Sequence, residues 1–481
     1  MTGKSLHAST DYPARLPPHW WRAGLLSLVC GLGGCAGPEL RLHSTRIATP
    51  APIAARGGAA DAATEHAVLA RALGAAASRP TTHALIDALR TGMPHASFVA
   101  GNRVTMYNDG PSTFAAYAEA IAAARNHVHV ETYIFADDEL GTRFAELLIE
   151  KRRLGVEVRV LYDGAGSWAS DEALFARMRE AGIDVHEFRP LASVGALASG
   201  RVNNRDHRKM LIVDGRVAFV GGINISGTYE HGPMSGSVSG GSGSRGNPLD
   251  DGWRDSQARI DGPAVAQFQA LFFSTWTRAG GDVVTPSPRY FPRLQPTGNA
   301  LVAAVASEAD GSTAGAMHAI HLNAIRHAAH RLWITQAYFT PDRSLRDALV
   351  EAARRGVDTR ILLPGVSDSE LTLHASRSIY GRLLAAGVRI YEHEAAFVHA
   401  KTVLIDDAVS FVGSANLDLR SLVHNNEIVA VVIDTDFARL VAHTFETDLQ
   451  SARGVTREAW RKRPWSDRLR ERAARLFWYW I

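Results

Sequence analysis

A chain of 481 residues, 46% hydrophobic and 21% charged, has room for two or three globular domains and is neither fibrous nor disordered. Its 52 basic and 49 acidic residues leave a net charge of +3, too balanced to demand a polyanionic partner. Two cysteines, Cys30 and Cys35, exclude a disulfide scaffold and a multi-cysteine zinc ribbon.

Lys4, Arg15 and Arg22 precede the apolar run AGLLSLVCGLGG, which has the length of a signal h-region and is short for a membrane span. The run ends in Leu32-Gly33-Gly34-Cys35-Ala36, which resembles a bacterial lipobox. On that reading the Cys35 thiol is lipidated, and the protein is anchored facing the periplasm of a Gram-negative cell. An uncleaved inner-membrane anchor and a buried apolar segment stay open. Residues 1–35 are thus a targeting segment, and residues 36–100 a tether plus a helical region from Ala63 to Leu89.

The next part of the chain is written twice. A helix over 115–125 leads to a strand at His127–Phe135; a helix over 141–154 leads to Val156–Tyr162; a helix over 171–181 leads to Ile183–Phe188. The second copy repeats the order. A helix over 320–330 precedes Leu332–Phe339, a helix over 345–355 with Ser344 as its N-cap precedes Val357–Leu363, and a helix over 376–386 precedes Val388–Glu392. Gly155 and Gly356 lie 201 residues apart, Gly182 and Gly387 205 apart. The fold class is α/β: two pseudo-twofold-related α/β/α sandwich halves, 101–296 and 297–455, each with a mainly parallel sheet and the active site at their junction.

Each half then carries one motif. The first has His207, Lys209, Asp214 and Asn224; the second has His399, Lys401, Asp406 and Asn416, with His and Asn 17 residues apart in both. A His and a Lys two apart on a strand share a face. With two-residue turns at Asp214-Gly215 and Asp406-Asp407, facing residues place His207 opposite Gly222 and His399 opposite Ser414, with the asparagines on the histidines' face. One imidazole can attack phosphorus, and the other can protonate the departing alkoxide. Lys209, Lys401, Asn224, Asn416 and Ser414 suit the non-bridging oxygens. A histidine nucleophile also needs an acceptor on its other nitrogen. Glu427 suits this orienting role in the second half and Asp255 in the first, beyond the glycine- and serine-rich stretch 231–247, read as an insertion. Asp214 and Asp406 belong to the motif as turn residues that fix the strands. No histidine spacing suggests a metal site, and no cofactor is required.

The duplicated HxKxxxxD motif resembles the phospholipase D superfamily over about 102–449. Glu131-Thr132-Tyr133-Ile134-Phe135 and Gly155-Val156-Glu157-Val158-Arg159-Val160-Leu161-Tyr162-Asp163-Gly164 resemble its bacterial cardiolipin synthase branch. The resemblance implies a metal-independent phosphatidyl transfer to phosphatidylglycerol or a similar alcohol through a phosphohistidine, with His207 the nucleophile and His399 the acid. Hydrolysis of phospholipids is the alternative. A nuclease is disfavoured, because the chain before residue 457 is slightly acidic. Phospholipids and a membrane surface are the expected partners, nucleic acid is not, and the sequence carries no signal for oligomeric state.

The chain closes on a basic aromatic tail, 456–481, where eight basic residues meet three acidic ones. A helix from Asp467 to Ile481 would align Leu469, Ala473, Leu476 and Trp480 on one face, flanked by Arg468, Arg470, Arg472 and Arg475. That pattern fits a membrane-surface element. A helix docked on the body is the alternative.

Overall fold

The computed structural model describes residues 52–55, 58–93, 95–191, 203–231, 249, 252–308 and 313–478. Cys35, its apolar run, Trp480 and the stretch 232–247 lie outside them. After the short paired strands Ala54–Ala55 and Gly58–Ala59 come two helices, α1 (Ala62–Leu73) and α2 (Pro80–Gly92), where the sequence predicts one helical region over 63–89. Gly74, at a φ of 50°, and Pro80 divide them.

The first repeat follows in chain order as β1 (Val99–Tyr107), α3 (Gly110–Ala123), β2 (His127–Thr132), α4 (Glu139–Arg153), β3 (Glu157–Asp163), α5 (Glu172–Glu180) and β4 (Asp184–Phe188). It ends with β5 (Met210–Val213), β6 (Val217–Gly221), β7 (Gln257–Asp261) and α6 (Val265–Arg278). The second repeat is β8 (Ala300–Ser307), α7 (Ala316–His327), β9 (Arg331–Thr335), α8 (Arg343–Arg354), β10 (Asp358–Pro364), α9 (Glu370–Arg377), α10 (Tyr380–Ala385) and β11 (Arg389–His393). It continues through β12 (Thr402–Ile405), β13 (Val409–Gly413), β14 (Glu427–Ile433), α11 (Thr435–Leu449) and β15 (Ala452–Val455), before the tail helices α12 (Arg457–Lys462) and α13 (Trp465–Arg475).

Strands pair in the order β1-β7-β6-β5-β2-β3-β4 in the first repeat. The second repeat pairs β8-β14-β13-β12-β9-β10-β11, with β15 added at the edge. The topology is the same, position for position. Within these two strand orders only β2-β3-β4 and β9-β10-β11 are parallel, so each sheet is mixed rather than mainly parallel. The hairpin that carries each motif brings antiparallel strands into the middle of the sheet. β1 and β8 also pair with each other, joining the two repeats edge to edge.

Helices cover both faces. α3, α4 and α5 close one face of the first sheet through Tyr117, Ile121, Phe144, Leu148, Phe175 and Met178. A second core joins the repeats: Phe268, Phe272 and Trp276 of α6 and Phe437, Val441 and Phe445 of α11 pack with Met210, Leu161, Trp333 and Leu404. The third core gathers α1, α2, α7, α8 and α10 on the second sheet.

Local chemistry explains the repeated pieces. Asp138 and Asp342 cap α4 and α8 by accepting the backbone N–H of Gly141 and of Leu345. The cap of α8 is therefore Asp342, not Ser344, whose own N–H it also accepts. The landmark glycines Gly155 and Gly356 have φ of 88° and 90°, a left-handed exit that L side chains resist.

Candidate active site

Each hairpin turns through two left-handed residues, Asp214-Gly215 (φ 54° and 62°) and Asp406-Asp407 (φ 51° and 58°). Asp tolerates this conformation better than most residues. One extra residue follows each turn, so Val213 faces Val217 and Ile405 faces Val409, a register one residue off the simple two-residue turn. The ladders begin at Met210 and Thr402, so His207 and His399 have no ladder partner in their own hairpins. The turn carboxylates hold the starts of neighbouring strands. Asp214 accepts the N–H groups of Arg125, Asn126 and His127 at 2.7–2.9 Å, and Asp406 those of Ala329, His330 and Arg331 at 2.7–2.9 Å. Both are architectural.

The histidines cross the junction. His207 N–H donates to the Asn426 carbonyl at 3.0 Å, and His399 N–H to the Arg254 carbonyl at 2.7 Å. Those contacts bring each imidazole to the carboxylate that follows. His207 Nδ1 lies 3.0 and 3.1 Å from the Glu427 oxygens, and His399 Nδ1 2.6 Å from Asp255 Oδ2. The orienting residues are thus the expected two, but exchanged: Glu427 serves the first repeat's histidine and Asp255 the second's. The exchange follows from geometry, because each motif segment pairs with the other repeat's chain at bridges Asp206–Asn426 and Arg254–Val398. Such reciprocal contacts are those of a twofold arrangement.

Both histidines and both lysines are at most 8% exposed. Lys209 Nζ donates to the His207 carbonyl at 2.6 Å, and Lys401 Nζ to that of His399. Burial holds the His207 imidazole well below its ordinary pKa, helped by Lys209, Lys401 and Arg420. Burial, then Lys401, bring His399 to about 3. Burial lowers Lys209 to about 7 and Lys401 to about 8. The two carboxylates diverge. Burial raises Glu427 to about 7 against the pull of Lys209, whereas His399 and Lys401 overcome burial and hold Asp255 below the usual carboxylate range.

The remaining predicted residues fall into different roles. Ser414 donates to Glu427 Oε2 at 2.5 Å and accepts the Ile428 N–H at 3.0 Å, so its hydroxyl braces the carboxylate rather than facing a phosphate. Its counterpart Gly222 leaves the space that Asp255 fills: a Cβ there would meet Asp255 Oδ1 at 2.2 Å. Asn224 accepts the Ile134 N–H at 3.1 Å and reaches the Tyr229 hydroxyl at 3.2 Å. Asn416 is buried with its carbonyl oxygen unpartnered.

The motif alone misses three tyrosines. Tyr229 Oη lies 3.2 Å from His399 Nδ1. Tyr133 meets His207 edge-on with centroids 5.0 Å apart, and Lys209 Nζ lies 5.1 Å from its ring. Tyr338 meets His399 edge-on at 6.1 Å. Tyr133 sits in the quoted Glu-Thr-Tyr-Ile-Phe segment and Tyr229 five residues after Asn224, but no spacing in the sequence aims them at a histidine. Among the described residues, no three His, Cys, Asp or Glu side chains converge as a metal site.

Two half-sites that complete each other, on duplicated mixed sheets, define the phospholipase D superfamily. The family model described as "Cardiolipin synthase, PLD-like domain" matches residues 117–230 and 321–449. The major cardiolipin synthase ClsA of Bacillus subtilis is 35% identical over 383 residues, 79% of this chain and 76% of its own. Cardiolipin synthase 1 of Bacillus anthracis is 34% identical over 385 residues, 78% of this chain and 72% of its own. A phosphatidylserine synthase of Haemophilus influenzae shares the fold at a TM-score of 0.59 and 15% identity, covering 84% of this chain and all of that one. The chain belongs to the cardiolipin synthase, PLD-like family and is a phosphatidyltransferase-type enzyme of the phospholipase D superfamily.

Proposed function

We propose that the protein transfers a phosphatidyl group from one phosphatidylglycerol to another, releasing glycerol and forming cardiolipin. The observation that carries this is the reciprocal pairing of two buried histidines with two carboxylates beside two lysines. His207, kept neutral, attacks phosphorus through Nε2; the P–O bond to the headgroup breaks, and His399 Nε2–H protonates the departing alkoxide. The carboxylates support this division. Glu427, raised toward neutrality, orients His207 without charging it, whereas ionised Asp255 stabilises the imidazolium a general acid requires. An arriving phosphodiester anion opposes the downward shifts on His399 and both lysines, so the site acquires its protons with its substrate. In the second step the acceptor hydroxyl gives its proton to His399, its oxygen attacks phosphorus, and the P–N bond to His207 breaks.

Incubation with labelled phosphatidylglycerol vesicles tests the reading: cardiolipin and free glycerol should form in equal amounts. With a phosphatidyl donor bearing a good leaving group, His399→Ala should accumulate an acid-labile phosphatidyl-enzyme and His207→Ala should not. Label on His399 would reverse the roles, and label on neither would remove the covalent route.

The enzyme works at a membrane surface, held by the Cys35 segment on the periplasmic side. Among the described residues, no helix is long and apolar enough to cross a membrane. The tail supports the surface reading. α13 docks one face, burying Ala474 and Glu471, which Arg463 grips at 2.7 and 2.8 Å. It leaves Trp465, Leu469 and Leu476 exposed at 76, 57 and 83%. Arg461, Arg468 and Arg472 rim that face. Docking and surface binding thus use opposite faces. Replacing Trp465, Leu469 and Leu476 by Ser, with Cys35→Ala, should preserve folding and abolish binding to phosphatidylglycerol vesicles; undiminished binding would place the lipid contact elsewhere.

A further inference from the structure

The surroundings of the two histidines differ in chemical character. Around His207, besides the Glu427 carboxylate that orients it, the polar neighbours are the cations Lys209, Lys401 and Arg420, which act on its imidazole, and Tyr133, which covers Lys209. Around His399 they include exposed acceptors. Tyr338, half-buried, sits edge-on to His399 at 6.1 Å, and its hydroxyl lies 2.8 Å from both oxygens of Asp368. Asp368 occupies the loop between β10 and α9, open to solvent, and its charge reaches Lys401.

A second observation marks the same place. Phe339 and Leu417 are bridged in parallel, which sets Tyr338 beside Asn416. At the matching bridge of the first repeat, Phe135 with Ile225, the Asn224 carbonyl oxygen accepts the Ile134 N–H. Asn416, 4% exposed, has no such bond, and its carbonyl oxygen lacks a partner. A buried polar atom left unsatisfied calls for a ligand or a water.

Carboxylate and amide oxygens accept hydrogen bonds and repel a phosphate anion, so this wall does not suit the phosphodiester itself. It suits hydroxyl groups. We propose that Tyr338, Asp368 and the Asn416 carbonyl form an alcohol subsite beside His399 that recognises a vicinal diol, the headgroup glycerol of donor and acceptor lipid alike. The proposal rests on the transfer reading above and adds to it where the alcohol sits and what selects it. The leaving glycerol and the attacking hydroxyl both exchange their proton with His399 and so occupy one side of phosphorus in turn. While the reacting oxygen faces His399 Nε2, the neighbouring hydroxyl donates to Asp368. Water and a simple monohydric alcohol have no second hydroxyl to place there. Selection between transfer and hydrolysis follows, because a site built to bond a hydroxyl discriminates against a reactant that lacks it.

The test uses the full chain with phosphatidyl-p-nitrophenol in mixed vesicles. Nitrophenol release reports the first step without a glycerol leaving group. Labelled glycerol and ethanol then compete for the phosphatidyl-enzyme, giving phosphatidylglycerol and phosphatidylethanol. In Asp368→Asn and Tyr338→Phe the product ratio of glycerol to ethanol should fall about tenfold, the size expected for one hydrogen bond to a charged group, whatever the accompanying change in nitrophenol release. An unchanged ratio in both variants would overturn the subsite. So would a parallel fall in glycerol transfer, ethanol transfer and nitrophenol release, which marks a structural role. Absence of any phosphatidyl transfer by the wild type would instead remove the reading on which the subsite rests.

Discussion

The two repeats pair their strands in the same order yet fill matching positions with different chemistry. Where β2 carries His129, stacked on Phe272 at 4.6 Å, β9 carries Trp333, stacked on Phe445 at 5.0 Å. Beside the motif, the first repeat has Glu131, Asp206 and Arg208, all buried; the second has Thr335, Val398 and Ala400. Arg208 donates to the Glu427 and Ser307 carbonyls at 3.2 and 3.0 Å and to Thr275 at 2.6 Å. Its guanidinium thus fastens the strand whose carboxylate orients His207 to α6, while burial raises Glu131 strongly and Asp206 to about 6. The second repeat reaches its end of the site with apolar packing. The comparison teaches that the frame fixes where the groups meet, and a few side chains outside the motif decide what each group does.

Exchanging the roles of the orienting carboxylates is the strongest way to break that comparison. Asp255→Asn should lower turnover of phosphatidylglycerol about 10³-fold but affect a nitrophenol leaving group far less, since the acid is then dispensable. Glu427→Gln should lower both substrates alike if His207, the imidazole it orients, is the proposed nucleophile. Equal leaving-group sensitivity in the two variants, read from kcat/KM, would erase the asymmetry.

Next comes the small residue under each carboxylate. Gly222→Ser must displace Asp255 and should cost about 10²-fold in kcat, whereas Ser414→Gly removes one brace from Glu427 and should cost about tenfold. Similar losses would mean the two positions are interchangeable.

Arg208 distinguishes the repeats in stability. Arg208→Met leaves the Glu131 and Asp206 carboxyls without their cation and should destabilise by about 3–5 kcal/mol. Ala400→Ser, at the matching position, should cost less than about 2 kcal/mol. Denaturant midpoints decide.

The smallest effect is on pH. Burial, then its neighbour His129, hold His127 at about 3, below the 6.5 of an unfolded histidine. The unfolded chain therefore binds the extra proton between those values, and stability supplied by neutral His127 is present above pH 6.5 and declines as pH falls toward 3. His127→Gln should flatten the acid side of the stability curve by up to about 1.4 kcal/mol per pH unit. An unchanged slope would assign the acid sensitivity to other groups.

Much of this was legible in the chain because it was written twice. The glycine landmarks, the turn aspartates and the His-Lys-Asn spacing each recur, and each records a local requirement: a left-handed exit, a left-handed turn, a shared face. The pairing of Glu427 with His207 was not legible. It depends on contacts at Asn426 and Arg254 between segments far apart in the chain, His207 lying 220 residues from Glu427 and His399 144 from Asp255, and carboxylate spacing within one repeat points to the wrong partner. The single residue added after each turn escaped for a related reason, since Arg216 and Ala408 carry no sign of being extra. Tyr229 and Tyr338 are ordinary aromatics until the fold turns them toward His399.

The crossed carboxylates also bear on heredity. Each repeat holds a histidine that only the other can orient, so neither could have been selected alone as a working enzyme in this form. A single ancestral repeat meeting an identical copy would have satisfied the same contacts, with one gene supplying both sides. Two copies in one chain can diverge in the groups around each histidine, but they cannot separate. A change at Asp255 is felt by His399, and a change at Glu427 by His207, so substitutions that restore function should arise in the opposite half of the gene.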